Sequence, residues 1–369
     1  SFNAAISACE KGGEWQKAVA LLAEMRRSAL DPDAIVYSAV ISACGKGGQW
    51  RRALACLHEM GQAAVEADVI AFSSAITACE RDQQWQWGLA LLAAMDGARC
   101  PPNIISFNAA ISACGGSGRW TWAIELFSEA QRRRLRGTLI TYNSLLTACE
   151  KGKQWTLALA LFSEVLMLRH PVDAVTYAAA ISACDGGQHW QRALLLFEDM
   201  EGRGIAPSVV TCSAAISACA TGHQWQLACR LLRQMQRRKL PPDLVNYNAA
   251  VSACERAAQW QLALLLVAEA RAGRLRPDVV TYGAAVSACE KGREWQQVLE
   301  LLGQLSRDAV ELNVVVCSAA IGACGQGRGR PQALRLALEL QRSALEPGAA
   351  DCAAAFSAAE ACGRRLLGA

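Results

Sequence analysis

Histidine is scarce: only His58, His170, His189 and His223 occur among 369 residues. Proton-transfer chemistry leans on imidazole, and zinc sites lean on clustered His and Cys. Cys184 with His189, and Cys219 with His223, stand close in sequence, but the same cysteine recurs where no histidine follows. No Cys-x-x-Cys pair is present, so neither a metal nor a cofactor is expected. A Walker-type glycine loop, a Gly-x-Ser-x-Gly elbow and a His-Glu-x-x-His helix are all missing. So is the His-x-Glu with Pro-Cys-x-x-Cys of nucleobase deaminases. The sequence therefore reads as a non-enzyme. No apolar run approaches the ~18 residues that a membrane span needs, and no strand-like alternation appears. Neither sign of charge dominates, with Lys+Arg 37 against Asp+Glu 33 and a net charge of +4. That balance permits a nucleic-acid partner without demanding one. The chain opens at Ser1, already inside a repeat, as a fragment would. Its lack of a leader is therefore uninformative.

What the chain has is a period. Ile-Ser-Ala-Cys or a close relative returns every 35 residues, with cysteine at Cys9, Cys44, Cys79, Cys114, Cys149, Cys184, Cys219, Cys254, Cys289 and Cys324. Tryptophan follows six residues later, from Trp15 and Trp50 through to Trp295. A period of this size means stacked supersecondary units in place of one globular core. The expected units are 1–33, 34–68, 69–103, 104–138, 139–173, 174–208, 209–243, 244–278, 279–313 and 314–348, with a partial terminal repeat at 349–369. In the tenth unit Arg330 replaces the tryptophan, and a glycine-rich turn runs from Gly325 to Gly329.

Within one unit, Tyr142, Leu145, Leu146 and Cys149 recur at helical spacing, and Lys151-Gly152-Lys153 breaks the pattern. A second stripe then runs through Trp155, Ala158, Leu159, Phe162 and Val165 before Pro171 and Asp173 close the unit. Glycine marks the inner turn at Gly12-Gly13, Gly47-Gly48, Gly152 and Gly186-Gly187. The expected fold is all-α: a right-handed α-solenoid superhelix of stacked antiparallel helix pairs. Equivalent cysteines of neighbouring units would lie roughly 8–10 Å apart, the usual helix packing distance. That exceeds the ~7 Å Cα separation a disulfide tolerates. All ten are expected to be buried free thiols.

Several units open on Val-Thr-Tyr-Asn or a variant: Ile140-Thr141-Tyr142-Asn143, Val175-Thr176-Tyr177-Ala178, Val245-Asn246-Tyr247-Asn248 and Val280-Thr281-Tyr282-Gly283. Their second helices carry Ala-x-x-Leu-Leu/Phe-x-x-Met, as in Ala18 to Met25 and Ala193 to Met200. Closure falls on Pro-Asp or Pro-Asn, as in Pro32-Asp33 and Pro102-Asn103. This pattern resembles the pentatricopeptide repeat family over essentially the whole chain, in its pure class of uniform 35-residue units. The tetratricopeptide pattern, with period 34 and Trp-x-x-Leu-Gly-x-x-Tyr, is not met. The regular tryptophan departs from the usual plant consensus and is similar to an algal or protist variant. Core packing is its expected role, in preference to base stacking.

The resemblance implies single-stranded RNA as partner, read one base per repeat. Two polar columns vary where all else is uniform. One holds Asn3, Ser38, Ser73, Asn108, Asn143, Ala178, Ser213, Asn248, Gly283 and Ser318. The other holds Asp33, Asp68, Asn103, Thr138, Asp173, Ser208, Asp243, Asp278, Asn313 and Gly348. Helix capping alone would explain Ser, Asn and Asp near helix starts, but not two paired variable columns. By resemblance, Asn with Asp implies U, Ser with Asp implies G, and Ser with Asn implies A. The branched residues Ile35, Ile70, Ile105, Ile140, Val175, Val210, Val245, Val280 and Val315 would sandwich the bases. Lys11, Lys46, Arg81, Lys151, Arg256 and Lys291 would follow the phosphates, against the plainer reading of solvated helix ends. Arg132-Arg133-Arg134 and Arg237-Arg238-Lys239 read as ordinary helix termini.

The family implies an organelle, the chloroplast ahead of the mitochondrion, with protein partners supplying any catalysis. A protein-binding helical scaffold is the alternative, and it requires no paired variable columns. A catalytic domain outside this stretch is the third reading.

Overall fold

Each of the first nine 35-residue periods becomes two α-helices in a computed structural model that describes residues 2–28, 30–98, 100–186, 189–308, 310 and 313–326. Among these residues there are nineteen helices and no strand. The first helices of the units are α1 (Phe2–Gly12), α3 (Ala34–Lys46), α5 (Val69–Arg81), α7 (Ile104–Gly116), α9 (Leu139–Lys151) and α11 (Ala174–Gly186). They continue as α13 (Val209–Thr221), α15 (Leu244–Arg256), α17 (Val279–Lys291) and α19 (Val314–Gln326). The second helices all start on the tryptophan column: α2 (Trp15–Arg27), α4 (Trp50–Gln62), α6 (Trp85–Gly97), α8 (Trp120–Arg132), α10 (Trp155–Met167), α12 (Trp190–Gly202), α14 (Trp225–Arg237), α16 (Trp260–Ala272) and α18 (Trp295–Arg307). The part of the glycine-rich turn after Gln326, together with Arg330, Gly348 and the partial repeat 349–369, lies outside the described residues, as does Gly187.

The chain divides into two compact units, residues 1–187 and 188–369. Within each, every first helix packs on the first helix of the next repeat, and the second helices pack on the following first helix and, where it lies in the same unit, on their own. The first helices thus form one layer of each unit and the second helices the other. Alanine and cysteine make the first layer tight: Ala43, Ala78, Ala113 and Ala148 have no exposed surface, nor do Cys44, Cys79, Cys114 and Cys149. Tyrosines anchor the second layer on the first. Tyr142 is buried, its ring edge-on to Phe127 at 5.4 Å, and its hydroxyl donates to Glu164 Oε1 at 2.9 Å. A buried hydroxyl needs such a partner.

The inner turn requires one residue in the left-handed region. Gly13 and Gly48 fill that position at φ 68°, but Lys153, Ala258 and Arg293 hold it at 54°, 55° and 60°. Gly152, read from sequence as the turn glycine of its unit, has a right-handed φ of −80°. Its smallness serves a neighbour instead: a Cβ there would overlap the indole of Trp120 from the preceding repeat.

All described cysteines are free thiols, and the repeated ones are buried with one exception. Cys9 is half-buried, contrary to expectation. Burial pushes several thiols up, to about 11 for Cys79, Cys114 and Cys149, and to about 12 for Cys289, whereas a hydrogen bond with Cys56 holds Cys44 below the usual thiol value. No helix among the described residues is long and apolar enough to cross a membrane. Nor do the described residues gather three or more His, Cys, Asp or Glu about one point that could hold a metal.

Candidate functional site

A water-soluble helix ordinarily turns its branched aliphatic residues inward, yet here one column faces out. Ile35, Ile70, Ile105, Ile140, Val175, Val210, Val245, Val280 and Val315 are each between 55% and 68% exposed. All occupy the second residue of a first helix. The next residue but two, counted along the same helix, is the groove-facing polar column of Asn3, Ser38, Ser73, Asn108, Asn143, Asn248 and their equivalents.

The other polar column immediately precedes each first helix and caps it. Asp33 accepts from the Val36 backbone N–H at 2.9 Å, Asp68 from Ala71 at 2.7 Å and Asn103 from Ser106 at 2.9 Å. Thr138, Asp173, Ser208, Asp243, Asp278 and Asn313 do the same for their own helices. Such caps contribute about 0.5–2 kcal/mol each. Capping therefore accounts for the residue types found here.

The structure also brings the two columns into direct contact. Ser38 Oγ donates to Asp68 Oδ1 at 3.1 Å, and Asn3 Nδ2 to Asp33 Oδ2 at 3.5 Å. Asn108 Nδ2 donates to Thr138 Oγ1 at 3.3 Å, and Asn248 Nδ2 to Asp278 Oδ1 at 3.3 Å. Burial pulls the Asp278 carboxyl upward. The hydrogen bonds from Thr281 and Asn248 outweigh that, so it lies below the usual carboxylate value and stays an anion.

Sequence reasoning overlooked a third member of this arrangement, the residue three positions into each first helix. Ser106, Thr141, Thr176, Asn246 and Thr281 are fully buried there. Each touches the groove residue one repeat earlier: Ser106 meets Ser73 at 2.8 Å, Thr176 meets Asn143 at 2.8 Å and Asn246 meets Ser213 at 2.6 Å. The available signal was a polar residue at a core phase of the helix, the Thr of Val-Thr-Tyr.

The basic column is exposed and engaged. Each member reaches back to the end of the previous first helix, where carbonyl groups lack intrahelical partners. Lys46 Nζ donates to the Glu10 carbonyl at 3.1 Å, Arg81 to that of Lys46 at 2.5 Å and Lys151 to that of Gly116 at 2.7 Å. Arg256 and Lys291 repeat the contact on Ala220 and Glu255. Lys11 lies in α1, which has no preceding repeat in this chain. The helix-end role is thus real, and the charge remains at the surface. Among the residues set aside as ordinary termini, Arg133 makes a two-pronged pair with Asp96 at 2.8 Å, and Arg238 pairs with Glu201 at 2.7 Å.

These columns converge. A groove of about 370 Å³ is lined by Ile70 and Ile105, by Ser73 and Asn103, and by Lys46 and Arg81. It offers two apolar walls, a polar pair between them and two cations at the rim. The next-but-one repeat has a smaller groove of about 260 Å³, with Ile140 and Asn143 in its lining. The tryptophans lie elsewhere. They are half-buried at the start of the second helices, packed between repeats but at the rim of the core. Trp15 has Arg52 over its face at 4.3 Å.

Three family profiles match the chain. One, described as the pentatricopeptide repeat domain, matches residues 55–117, 170–222, 195–256 and 230–292. A second, the PPR repeat family, matches 1–46 and 102–151, and a third, the PPR repeat, matches 35–63 and 140–169. No curated protein matches. Among solved structures, the chain is similar to the pentatricopeptide repeat protein PPR10 in complex with an 18-nucleotide psaJ RNA element. Identity is 17% and the TM-score 0.67, over 97% of this chain and 57% of that one. It is likewise similar to PPR10 from maize, at 17% identity and TM-score 0.58, over 97% of this chain and 60% of that one. The chain thus spans 57% and 60% of the lengths of these two structures.

Proposed function

This chain belongs to the pentatricopeptide repeat family, and on that premise we propose that it binds single-stranded RNA in a sequence-specific way, one base per repeat. The observation that carries this reading is the groove on α3, α5 and α7. Its exposed Ile70 and Ile105 are apolar surfaces of the kind that accept the faces of a flat ring. Ser73 and Asn103 present hydrogen-bonding groups to that ring's edge. Lys46 and Arg81 supply positive charge where a phosphate would pass. Nothing in a peptide-binding scaffold calls for these three elements to meet in one groove. A structural neighbour, PPR10, is described in complex with RNA, which agrees with the reading.

The pairs Asn3/Asp33, Ser38/Asp68 and Ser73/Asn103 read U-G-A, with the chain running parallel to the RNA from its 5′ end. Asn143/Asp173 reads U, and Ser213/Asp243 with Asn248/Asp278 reads G-U. Asn108/Thr138, Ala178/Ser208, Gly283/Asn313 and Ser318/Gly348 are degenerate. The site is then U-G-A-N-U-N-G-U. The protein acts by occupancy on an organellar transcript, in the chloroplast ahead of the mitochondrion, affecting processing, stability, splicing or translation. Protein partners supply any catalysis.

Selection from a random RNA pool, with a salt titration of the selected species, tests this. Enrichment of U-G-A-N-U-N-G-U with affinity falling as salt rises is the expected result. A pool without an enriched motif would overturn it in favour of a protein-binding scaffold.

A further inference from the structure

Thr141, Thr176 and Thr281 are buried without exposed surface, and a buried hydroxyl needs a partner. All three reach the same one, the side-chain oxygen of the groove asparagine one repeat earlier, and Thr176 and Thr281 also stand 2.8 Å from Oδ1 of their own capping residues, Asp173 and Asp278. Thr141 Oγ1 donates to Asn108 Oδ1 at 2.6 Å, Thr176 to Asn143 at 2.8 Å and Thr281 to Asn248 at 2.5 Å. In all three it is the oxygen of the amide, not its nitrogen, that faces the threonine.

At Asn108 and Asn248 two further bonds hold that orientation. The backbone N–H of the capping residue donates into the threonine oxygen, from Thr138 at 2.9 Å and from Asp278 at 3.3 Å. The asparagine Nδ2 donates in turn to the side chain of the same capping residue. A ring closes: cap N–H to threonine, threonine to amide oxygen, amide nitrogen to cap. Asp278 is an anion and accepts only, so a reversed Asn248 amide would set oxygen against oxygen.

Amide orientation decides what an asparagine can recognise. Uracil presents a ring N–H donor beside a carbonyl acceptor on its pairing edge. Cytosine presents a ring-nitrogen acceptor beside an amino donor. Reversing an amide exchanges its donor and acceptor, and so exchanges the base it fits. We propose that, where the capping residue is aspartate, the threonine at the third residue of a first helix is a positioning residue, which locks the preceding asparagine amide and thereby selects uracil over cytosine. The proposal rests on the RNA-binding reading above. The first repeat lacks the device, because Val36 stands where the hydroxyl would be and Asn3 meets only Asp33, at 3.5 Å.

The test measures dissociation constants of the wild type, Thr281→Val, Thr281→Ser and Val36→Thr. The RNAs carry U or C at the eighth base, or at the first. Thr281→Val is expected to lower the U-to-C preference at the eighth base by about two- to tenfold, the worth of one hydrogen bond, and to leave the first base unchanged. Thr281→Ser restores the preference, and Val36→Thr raises it at the first base. Equal losses for U and C RNAs with an unchanged ratio would make the threonine merely structural, overturning the proposal while RNA recognition stands. If Thr281→Val does not fold, Val36→Thr decides alone: an unaltered ratio at the first base overturns the proposal. A wild-type protein that discriminates at no base sinks both readings.

Discussion

Trp120 lies so close to Gly152 of the next repeat that a Cβ on the glycine would overlap the indole. The same relationship joins Trp15 to Gly47, Trp190 to Gly222 and Trp260 to Gly292. Tryptophan and glycine are thus two halves of one joint between consecutive repeats. Gly152→Ala should destabilise the protein by about 1–3 kcal/mol, because the ring must move off its rotamer. Gly303, in the interior of α18, has nothing within 4 Å of its would-be Cβ. Gly303→Ala should instead stabilise by about 0.5–1 kcal/mol. Urea denaturation of the two variants should move the midpoint in opposite directions.

Ala258 holds the left-handed turn position at φ 55°, which glycine fills elsewhere in the chain. An L-residue with a Cβ is disfavoured there by roughly 1–2 kcal/mol. Ala258→Gly should therefore raise the thermal midpoint. A lowered midpoint would show that the strain is absent.

Buried thiols make stability depend on alkali. The folded protein holds Cys79, Cys114 and Cys149 at about 11, against 9.0 for a free thiol. A raised folded value means the unfolded chain ionises first. The contribution is complete below pH 9 and is lost as pH rises towards 11. Denaturant midpoints measured from pH 8 to 11 should fall across that window. Cys149→Ala should flatten the fall.

The double duty of Asp68 separates recognition from folding. Asp68→Asn keeps an oxygen acceptor at the cap, as Asn103 demonstrates in the next repeat. It should leave stability unchanged while moving the second base from G towards A, by roughly 1–3 kcal/mol at that base alone. Asp68→Ala removes the cap and should cost about 0.5–2 kcal/mol of stability. Selected RNAs that keep G with Asp68→Asn would show that the register is wrong.

Replacing Lys11, Lys46, Arg81, Lys151, Arg256 and Lys291 together by alanine should weaken binding to every RNA alike and reduce its salt dependence. An unchanged salt slope would leave these residues with their helix-end contacts alone.

The repeat, the helix pairs and the starting tryptophans were legible because a fixed period repeats the same physical instruction many times. Other features were hidden for identifiable reasons. Gly152 looked like a turn glycine because glycine is the common turn signal, but its role depends on Trp120 one repeat away. The polar columns were visible as variable positions, yet their contact is made across a repeat boundary, as between Ser38 and Asp68. Thr141 and Thr176 escaped notice because a polar residue inside a helix carries no local sign of the partner it meets.

Before every first helix from α3 to α19 the residue is Asp, Asn, Ser or Thr, and it anchors that helix. An architecture that asks one side chain to do this has a short alphabet. Exchanges within those four letters leave the scaffold intact, while any other letter loosens a joint between repeats. Drift from one target to another can then proceed by single exchanges such as Asp to Asn, without passing through an unfolded ancestor. The same constraint tells an engineer which rewrites of the array to attempt first.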